Sequence, residues 1–345
     1  LDAAGALTIT GKGAMRNYGG SKEMPWFQYA DKIKSVTLED GLTNVGSFAF
    51  NSMPNLEVVN IPASVTKIGD YSFKNCTKLG TLNLSEGLKS IGESAFYGCS
   101  ALSSITMPDS LTTVGTYVFK GCTGLTNVKL SNSLTRISES LFYGCTSLTS
   151  VSVPEGVKYV DGYVFKNCAN LADVSLPESL TKLGESAFYG CKKLTTIVIP
   201  KNVPTIGSYT FKACTALADV TLPDNLKAIG ESAFYGCTAL QKLTIPSKTT
   251  TINDYAFKNC TGLTAVELPA SLTKIGESAF YASKLATLTI PDNVAAIGDY
   301  AFKNCVDLAD IHLPTSLTKI GESVFYGCAK LTNITFPEKV TSIGS

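Results

Sequence analysis

The stretch Leu102-x-x-Ile105-x-Met107-Pro108-x-x-Leu111-x-x-Val114-Gly115-x-x-x-Phe119-x-x-Cys122 is one copy of a unit that returns along almost the whole chain. Its marker is a phenylalanine, found at 50, 73, 96, 119, 142, 165, 188, 211, 234, 257, 280, 302 and 325. Eleven of the twelve intervals are 23 residues, and Phe280 to Phe302 is 22. A period in this range marks a stacked array, in which one unit is too small to bury its apolar side and neighbours hide each other's. That matters for a chain of 345 residues. A single globular core stops growing near ~250–300 residues, and a repeat array escapes the limit. About thirteen units run from 33 to 345, the last one incomplete, and residues 1–32 break the period.

Within each unit the Leu-x-x-Φ-x-Φ run (Φ, apolar), such as Leu194 to Ile199, ends in the alternation of a strand with one wet and one dry face. Proline usually follows, as at Pro62, Pro154, Pro200, Pro269 and Pro337, and closes the strand for want of an N–H. A second apolar pair comes next, Leu180 and Leu183 or Leu272 and Ile275. It leads to a residue that tolerates a left-handed or tight turn, such as Gly92, Gly184, Asn253, Asp161 or Ser138. The remaining Glu-Ser-Ala-Phe-Tyr-Gly-Cys segment has room for one or two helical turns. The expected class is therefore an α/β repeat solenoid.

Unit length, the Leu-x-x-Φ-x-Φ-Pro run and the Φ-Gly-x-x-x-Phe-x-x-Cys segment resemble the leucine-rich repeats of the BspA-like, Treponema-type family of bacterial surface proteins. The resemblance implies a right-handed superhelix with a parallel sheet on the concave side and short helical turns on the convex side. It also implies a secreted or cell-surface protein that adheres to a protein or a glycan on another cell or matrix. Residues 1–32, with the only tryptophan at Trp26, resemble the lead-in of such arrays and are expected to cap the first open core edge. The chain opens at Leu1 without an export signal and stops inside a unit, which reads as a piece of a longer protein.

Composition narrows the function classes. Lys plus Arg (29) nearly balance Asp plus Glu (28), so no long-range field gathers phosphates or anionic lipid. Nucleic-acid partners and membrane insertion are not expected, and no apolar run is long enough for a spanning helix. All eleven cysteines sit three residues after the phenylalanine, none closer to another than 23 residues. Zinc sites want local pairs, so the thiols read as a buried column of small hydrophobes. His312 is the only histidine and lies two residues from Asp310 on the wet side of a strand. A proton-transfer or ligand contact is one reading of that pair, and a polar residue in a Thr or Ser slot is the preferred one. No phosphate loop, dinucleotide fingerprint, nucleophile elbow or zinc-protease motif occurs. No catalytic residue, metal or cofactor is expected, and the chain reads as non-enzymatic.

Two outward surfaces remain. One strand column, running from Thr37 through Thr106, Ser152, Thr221 and His312 to Thr335, is rich in Thr and Ser and carries no aromatic anchor. The phenylalanine side follows a 46-residue super-period, Asp-Tyr-x-Phe-Lys units alternating with Glu-Ser-x-Phe-Tyr units. After the phenylalanine, Lys alternates with Tyr from Lys74 to Tyr326, including Tyr97, Lys120, Tyr143, Lys166, Tyr189, Lys212 and Tyr235. If helical, Asp70–Lys74, Asp254–Lys258 and Asp299–Lys303 would be i,i+4 ion pairs. The stripe reads as a packing ladder preserved by two-unit duplication or as an adhesive face. The matching functions are a binding protein and, alternatively, a passive spacer presenting other domains.

Overall fold

Each 23-residue unit forms one coil that contributes to three hydrogen-bonded ladders. The first element of a coil is a three-residue strand such as Ser104–Thr106, whose middle residue Ile105 is buried while its neighbours face water. That alternation follows from the pleat, which sends successive side chains to opposite faces. Past the proline the chain turns, the Pro108 carbonyl accepting the Leu111 N–H at 3.0 Å. A two-residue strand follows, Thr113–Val114 in this coil, again with its apolar residue inward. Strands of successive coils pair in parallel at an offset of 23, for instance Ser104 with Asn127 and Ile105 with Val128.

The computed structural model describes residues 1–344, which fall into two compact units that meet between Pro177 and Glu178 in the sequence. In the first unit the strands Ala6–Ile9, Ser35–Leu38, Val58–Asn60 and Thr81–Asn83 form one parallel sheet, followed by two strand pairs. Gly13–Ala14, Leu42–Val45, Lys67–Ile68, Ser90–Ile91 and Thr113–Val114 build a second sheet. Residues 1–32 thus join both ladders as a longer coil, Leu7 pairing with Val36. In the second unit seven two-residue strands, Thr205–Ile206 to Ser342–Ile343, make a continuous sheet, and the three-residue strands associate in pairs.

The expected helical turns do not form. Among the described residues the helical pieces are two three-residue 3-10 turns, Ser21–Glu23 and Phe27–Tyr29, both in the lead-in. The repeats instead place left-handed residues two before and two after each phenylalanine: Ser94 (φ 52°) and Gly98 (φ 73°) around Phe96, Tyr117 (φ 59°) and Gly121 (φ 73°) around Phe119. A left-handed residue stops a right-handed helix and turns alternate peptide planes along the stack. The N–H groups of Ser94, Phe96 and Gly98 then donate to the carbonyls of Thr116, Val118 and Lys120 in the next coil, at 2.9, 3.0 and 2.8 Å. The carbonyls of Glu93, Ala95 and Tyr97 accept from Tyr71, Phe73 and Asn75 of the coil before. The peptides between close local turns, Tyr97 N–H to Ser94 and Cys99 N–H to Phe96, both 3.2 Å. In the second unit Ser232, Phe234 and Gly236 repeat the pattern onto Asp254, Ala256 and Lys258.

Gly92 serves a different end from the one its turn position suggested. Its φ is not in the left-handed range; a Cβ there would stand 2.6 Å from the Asp70 backbone nitrogen of the preceding coil, too close for any side chain.

The core is a stack of identical side chains. Phenylalanine rings lie face to face at 5.2 to 5.8 Å from Phe50 to Phe165, and at 5.3 to 6.0 Å from Phe188 to Phe325. Trp26 extends the first column, stacked on Phe50 at 5.4 Å with its indole N–H donating to the Ala49 carbonyl. In the shortened unit Ser283 takes the cysteine slot, buried, its hydroxyl 3.3 Å from the Cys305 sulfur. The missing residue falls before Thr287–Thr289, which again pairs with Asp310–His312 at the ordinary offset.

These left-handed positions set an expectation. Ala213 sits at φ 61° where several other coils carry Gly. Because an L-residue there costs ~1 kcal/mol, Ala213→Gly should stabilise by about that amount and Gly121→Ala destabilise equally. Urea midpoints of the two variants measure it, and shifts of the same sign would be inconsistent with the ladder.

Candidate functional site

The alternating stripe is a row of aromatic cages around lysine. Lys120 Nζ lies 4.6 Å from the Tyr143 ring centre, 5.2 Å from Tyr117 and 5.7 Å from Tyr97. Lys74 sits over Tyr71 and Tyr97 at 5.3 and 4.9 Å, and Lys166 over Tyr163 and Tyr143 at 5.1 and 5.7 Å. In the second unit Lys212 is ringed by Tyr235, Tyr209 and Tyr189 at 4.7, 5.2 and 5.8 Å. Lys258 and Lys303 repeat the arrangement with Tyr255, Tyr281, Tyr300 and Tyr326. Such contacts are worth ~0.5–1 kcal/mol each at exposed sites. They hold flexible lysine stems in one place, beside rings that are half-buried except for the exposed Tyr326.

Six tyrosines in these cages, Tyr71, Tyr117, Tyr163, Tyr209, Tyr255 and Tyr300, were not singled out from the sequence. Each holds the left-handed position two before its phenylalanine, and that backbone turn brings the ring round to the lysine three residues on. Five of these hydroxyls reach a glutamate of the next coil: Tyr71 donates to Glu93 at 2.6 Å, Tyr300 to Glu322 at 2.7 Å and Tyr117 to Glu139 at 3.2 Å. Tyr209 and Tyr255 bind Glu231 and Glu277 likewise. The Asp-Tyr and Glu-Ser unit types are therefore complementary halves of one contact. Hydrogen bonding to the Glu277 carboxylate pushes the Tyr255 phenol up to about 12, and the equivalent bonds to Glu93 and Glu322 raise Tyr71 and Tyr300.

The aspartate-to-lysine pairs expected on a helix are not made. Asp70, Asp254 and Asp299 instead accept the backbone N–H of Glu93, Glu277 and Glu322 in the following coil, at 2.8 to 2.9 Å. Without a helix the i,i+4 geometry is lost, and the short carboxylate stitches neighbouring coils.

On the strand side Asp310 and His312 come together, Oδ2 to Nδ1 at 3.5 Å, both mostly exposed. The eleven cysteines are buried and none is in a disulfide. Ten of the thiols donate to the phenylalanine carbonyl of the preceding coil, for instance Cys99 to Phe73 at 3.2 Å and Cys237 to Phe211 at 3.2 Å. Burial pushes Cys76, Cys122, Cys168, Cys214, Cys260 and Cys305 up to about 12. A thiol so far from ionising is a poor nucleophile and metal ligand. Among the described residues no group of three His, Cys, Asp or Glu side chains is arranged to hold a metal ion, and no helix is long and apolar enough to cross a membrane.

This chain belongs to the BspA-type leucine-rich repeat family, whose six-copy repeat region matches residues 23–126, 135–262, 181–308 and 227–345. Three solved structures show the same architecture. A leucine-rich repeat protein from Bacteroides ovatus is 31% identical, with 97% of this chain and 87% of that one covered and a TM-score of 0.84. A leucine-rich cell surface protein from Faecalibacterium prausnitzii is 27% identical over 99% of this chain and 88% of its own, at a TM-score of 0.58. One from Eubacterium ventriosum is 29% identical, covering 98% and 93%, at 0.56. No curated protein matches the sequence. The fold is thus a parallel-strand leucine-rich repeat solenoid with a unit of about 23 residues.

The thiols give a pH expectation. In the unfolded chain they ionise near ~8.5, whereas in the folded chain Cys122 and Cys214 are among those raised to about 12. Above pH ~8.5 the unfolded state binds fewer protons, so stability is full below that pH and falls as pH rises toward ~12. Urea midpoints across this window should decline steeply, and Cys→Ala variants at 99, 122 and 145 should flatten the decline. A flat profile for the parent chain would contradict a buried thiol column.

Proposed function

We propose that this chain is a non-catalytic binding scaffold, secreted or displayed on a bacterial surface, whose Tyr–Lys stripe engages a protein or glycan ligand. The observation that carries the reading is the ordering of the stripe: lysines fixed among half-buried tyrosine rings at 4.6 to 5.8 Å. Such a surface is rigid, amphipathic and already positioned, so little side-chain freedom is lost on binding. Tyrosine combines apolar area with a hydroxyl that hydrogen-bonds peptide or sugar. The candidate contacts are Tyr97, Tyr143, Tyr189 and Tyr235 with Lys120, Lys166 and Lys212. Asp310 and His312 offer a separate polar contact on the strand side. The family likeness supports a scaffold without a reaction centre, and the Faecalibacterium relative is described as a cell surface protein.

The uniformity of the cages also favours a second reading, a passive spacer whose stripe serves packing alone. Screening matrix proteins and a glycan array separates the two. The binding reading predicts a ligand at micromolar concentration whose affinity falls about tenfold or more when Tyr97, Tyr143, Tyr189 and Tyr235 are changed to Ser. Absence of any ligand, or full retention by that variant, would favour the spacer.

A further inference from the structure

The strand side of the second unit opens at every second coil. Its three-residue strands pair as Thr196–Val198 with Asp219–Thr221, Lys242–Thr244 with Ala265–Glu267, and Thr287–Thr289 with Asp310–His312. Within each pair the ladder runs one residue further, Ile199, Ile245 and Ile290 donating to Thr221, Glu267 and His312 at 3.0 to 3.1 Å. Among the described residues no equivalent bond carries Leu222 or Leu268 on to the next pair.

A cleft lies at each of these two openings, about 380 Å³ at Leu222 and about 590 Å³ at Leu268, and a further one of about 380 Å³ lies at Leu313 in the next such coil. Half-buried Leu222, Leu268 and Leu313 line them, whereas Ile199, Ile245 and Ile290 at the same place in the alternate coils are buried. The rims are acidic: Asp219 and Asp224, then Glu267 and Asp292, then Asp310, with Lys242 and His312 as the opposing groups.

A second row in the same unit has the opposite sign. The outward residue of each two-residue strand and the residue just before it, from Thr181 and Lys182 to Thr341 and Ser342, include no carboxylate, the nearest acids being Asp254, Glu277 and Asp299 in the cleft beside Lys274 and Lys319. They hold Lys182, Lys227, Lys274 and Lys319, one at every second coil and all exposed. Of these, Lys274 has an ion pair, a loose and exposed one with Asp254 at 4.0 Å.

We propose that the chain associates with a second copy of itself, the lysine row of one copy lying along the acidic clefts of the other. Both rows belong to the same coils and repeat at two strand spacings, roughly 10 Å. Seating one lysine in one cleft therefore brings the next lysine to the next cleft. The leucine in each opening gives the lysine stem an apolar surface while the ammonium meets the rim carboxylates. With a net charge of +1 no overall repulsion opposes contact. Two different patches meet, so a pair keeps one free cleft row on one copy and one free lysine row on the other, and association extends into larger assemblies unless its symmetry closes.

Sedimentation of the full chain tests this. Wild type should form oligomers at ~0.01 M salt, where the screening length is ~30 Å, and monomers near ~1 M, where it is ~3 Å. One variant removes the lysine row (Lys182→Gln, Lys227→Gln, Lys274→Gln, Lys319→Gln). Another neutralises the rims (Asp219→Asn, Asp224→Asn, Glu267→Gln, Asp292→Asn, Asp310→Asn). Each alone should associate about tenfold or more weakly, and the two mixed should restore one-to-one pairs. The Tyr→Ser variant used against a ligand should still oligomerise, which keeps this outcome separate from that of the stripe. A wild type that is monomeric at low salt overturns the proposal. So do variants that associate normally, a mixture that fails to pair, or a chain that captures poly-lysine but never itself.

Discussion

Equal coil length is the constraint on which the rest depends. A ladder that sends every second peptide of the Phe segment to the next coil works only if that coil presents its carbonyls at the same height. Twenty-three residues per turn keep Ser94, Phe96 and Gly98 opposite Thr116, Val118 and Lys120. The same register stacks rings on rings and thiols under carbonyls, so one geometric condition satisfies backbone hydrogen bonds and core packing together. A coil of 22 survives at Phe280 because the shortfall is absorbed in the segment before Thr287 and a serine replaces the cysteine.

The two-coil super-period is laid over that frame and has a chemical basis. One coil type supplies a tyrosine hydroxyl, a lysine and, at Asp70, Asp254 and Asp299, an aspartate; the next supplies a glutamate, whose carboxylate accepts from the hydroxyl and whose backbone N–H donates to the aspartate, and a second ring for the lysine. The strand side repeats with the same period, since an isoleucine, valine or methionine after the strand continues the ladder while a leucine in the alternate coil leaves it open in the second unit. Val153 and Ile199 illustrate the continuing kind. Surface chemistry and core packing are thereby tied to the same pair of coils.

Much of this was legible in the residues. The period, the strand and its closing proline, the buried cysteine column and the Lys–Tyr alternation are all sequence patterns whose physical meaning survives in the fold. The absence of helical turns was not legible, because Glu-Ser-Ala-Phe-Tyr-Gly-Cys gives no local sign that Ser94 turns left-handed. That conformation is imposed from outside the segment, by hydrogen bonds to the coils before and after. The same blindness hid Tyr71 and its counterparts from the aromatic cages, since their rings reach lysine only through the left-handed backbone. It also turned Asp70 from an expected lysine partner into an acceptor for the Glu93 backbone. Contacts between units 23 residues apart decide these points, and no window within one unit contains them.

Backbone amide hydrogen exchange tests the stacked ladder most directly. The segments 93–99, 116–122 and 231–237 lack helix and regular strand, yet the inter-coil bonds should protect Ser94, Phe96, Gly98, Ser232, Phe234 and Gly236 as strongly as the strands Ser104–Thr106 and Lys242–Thr244. Rapid exchange at these amides while the strands stay protected would contradict the account.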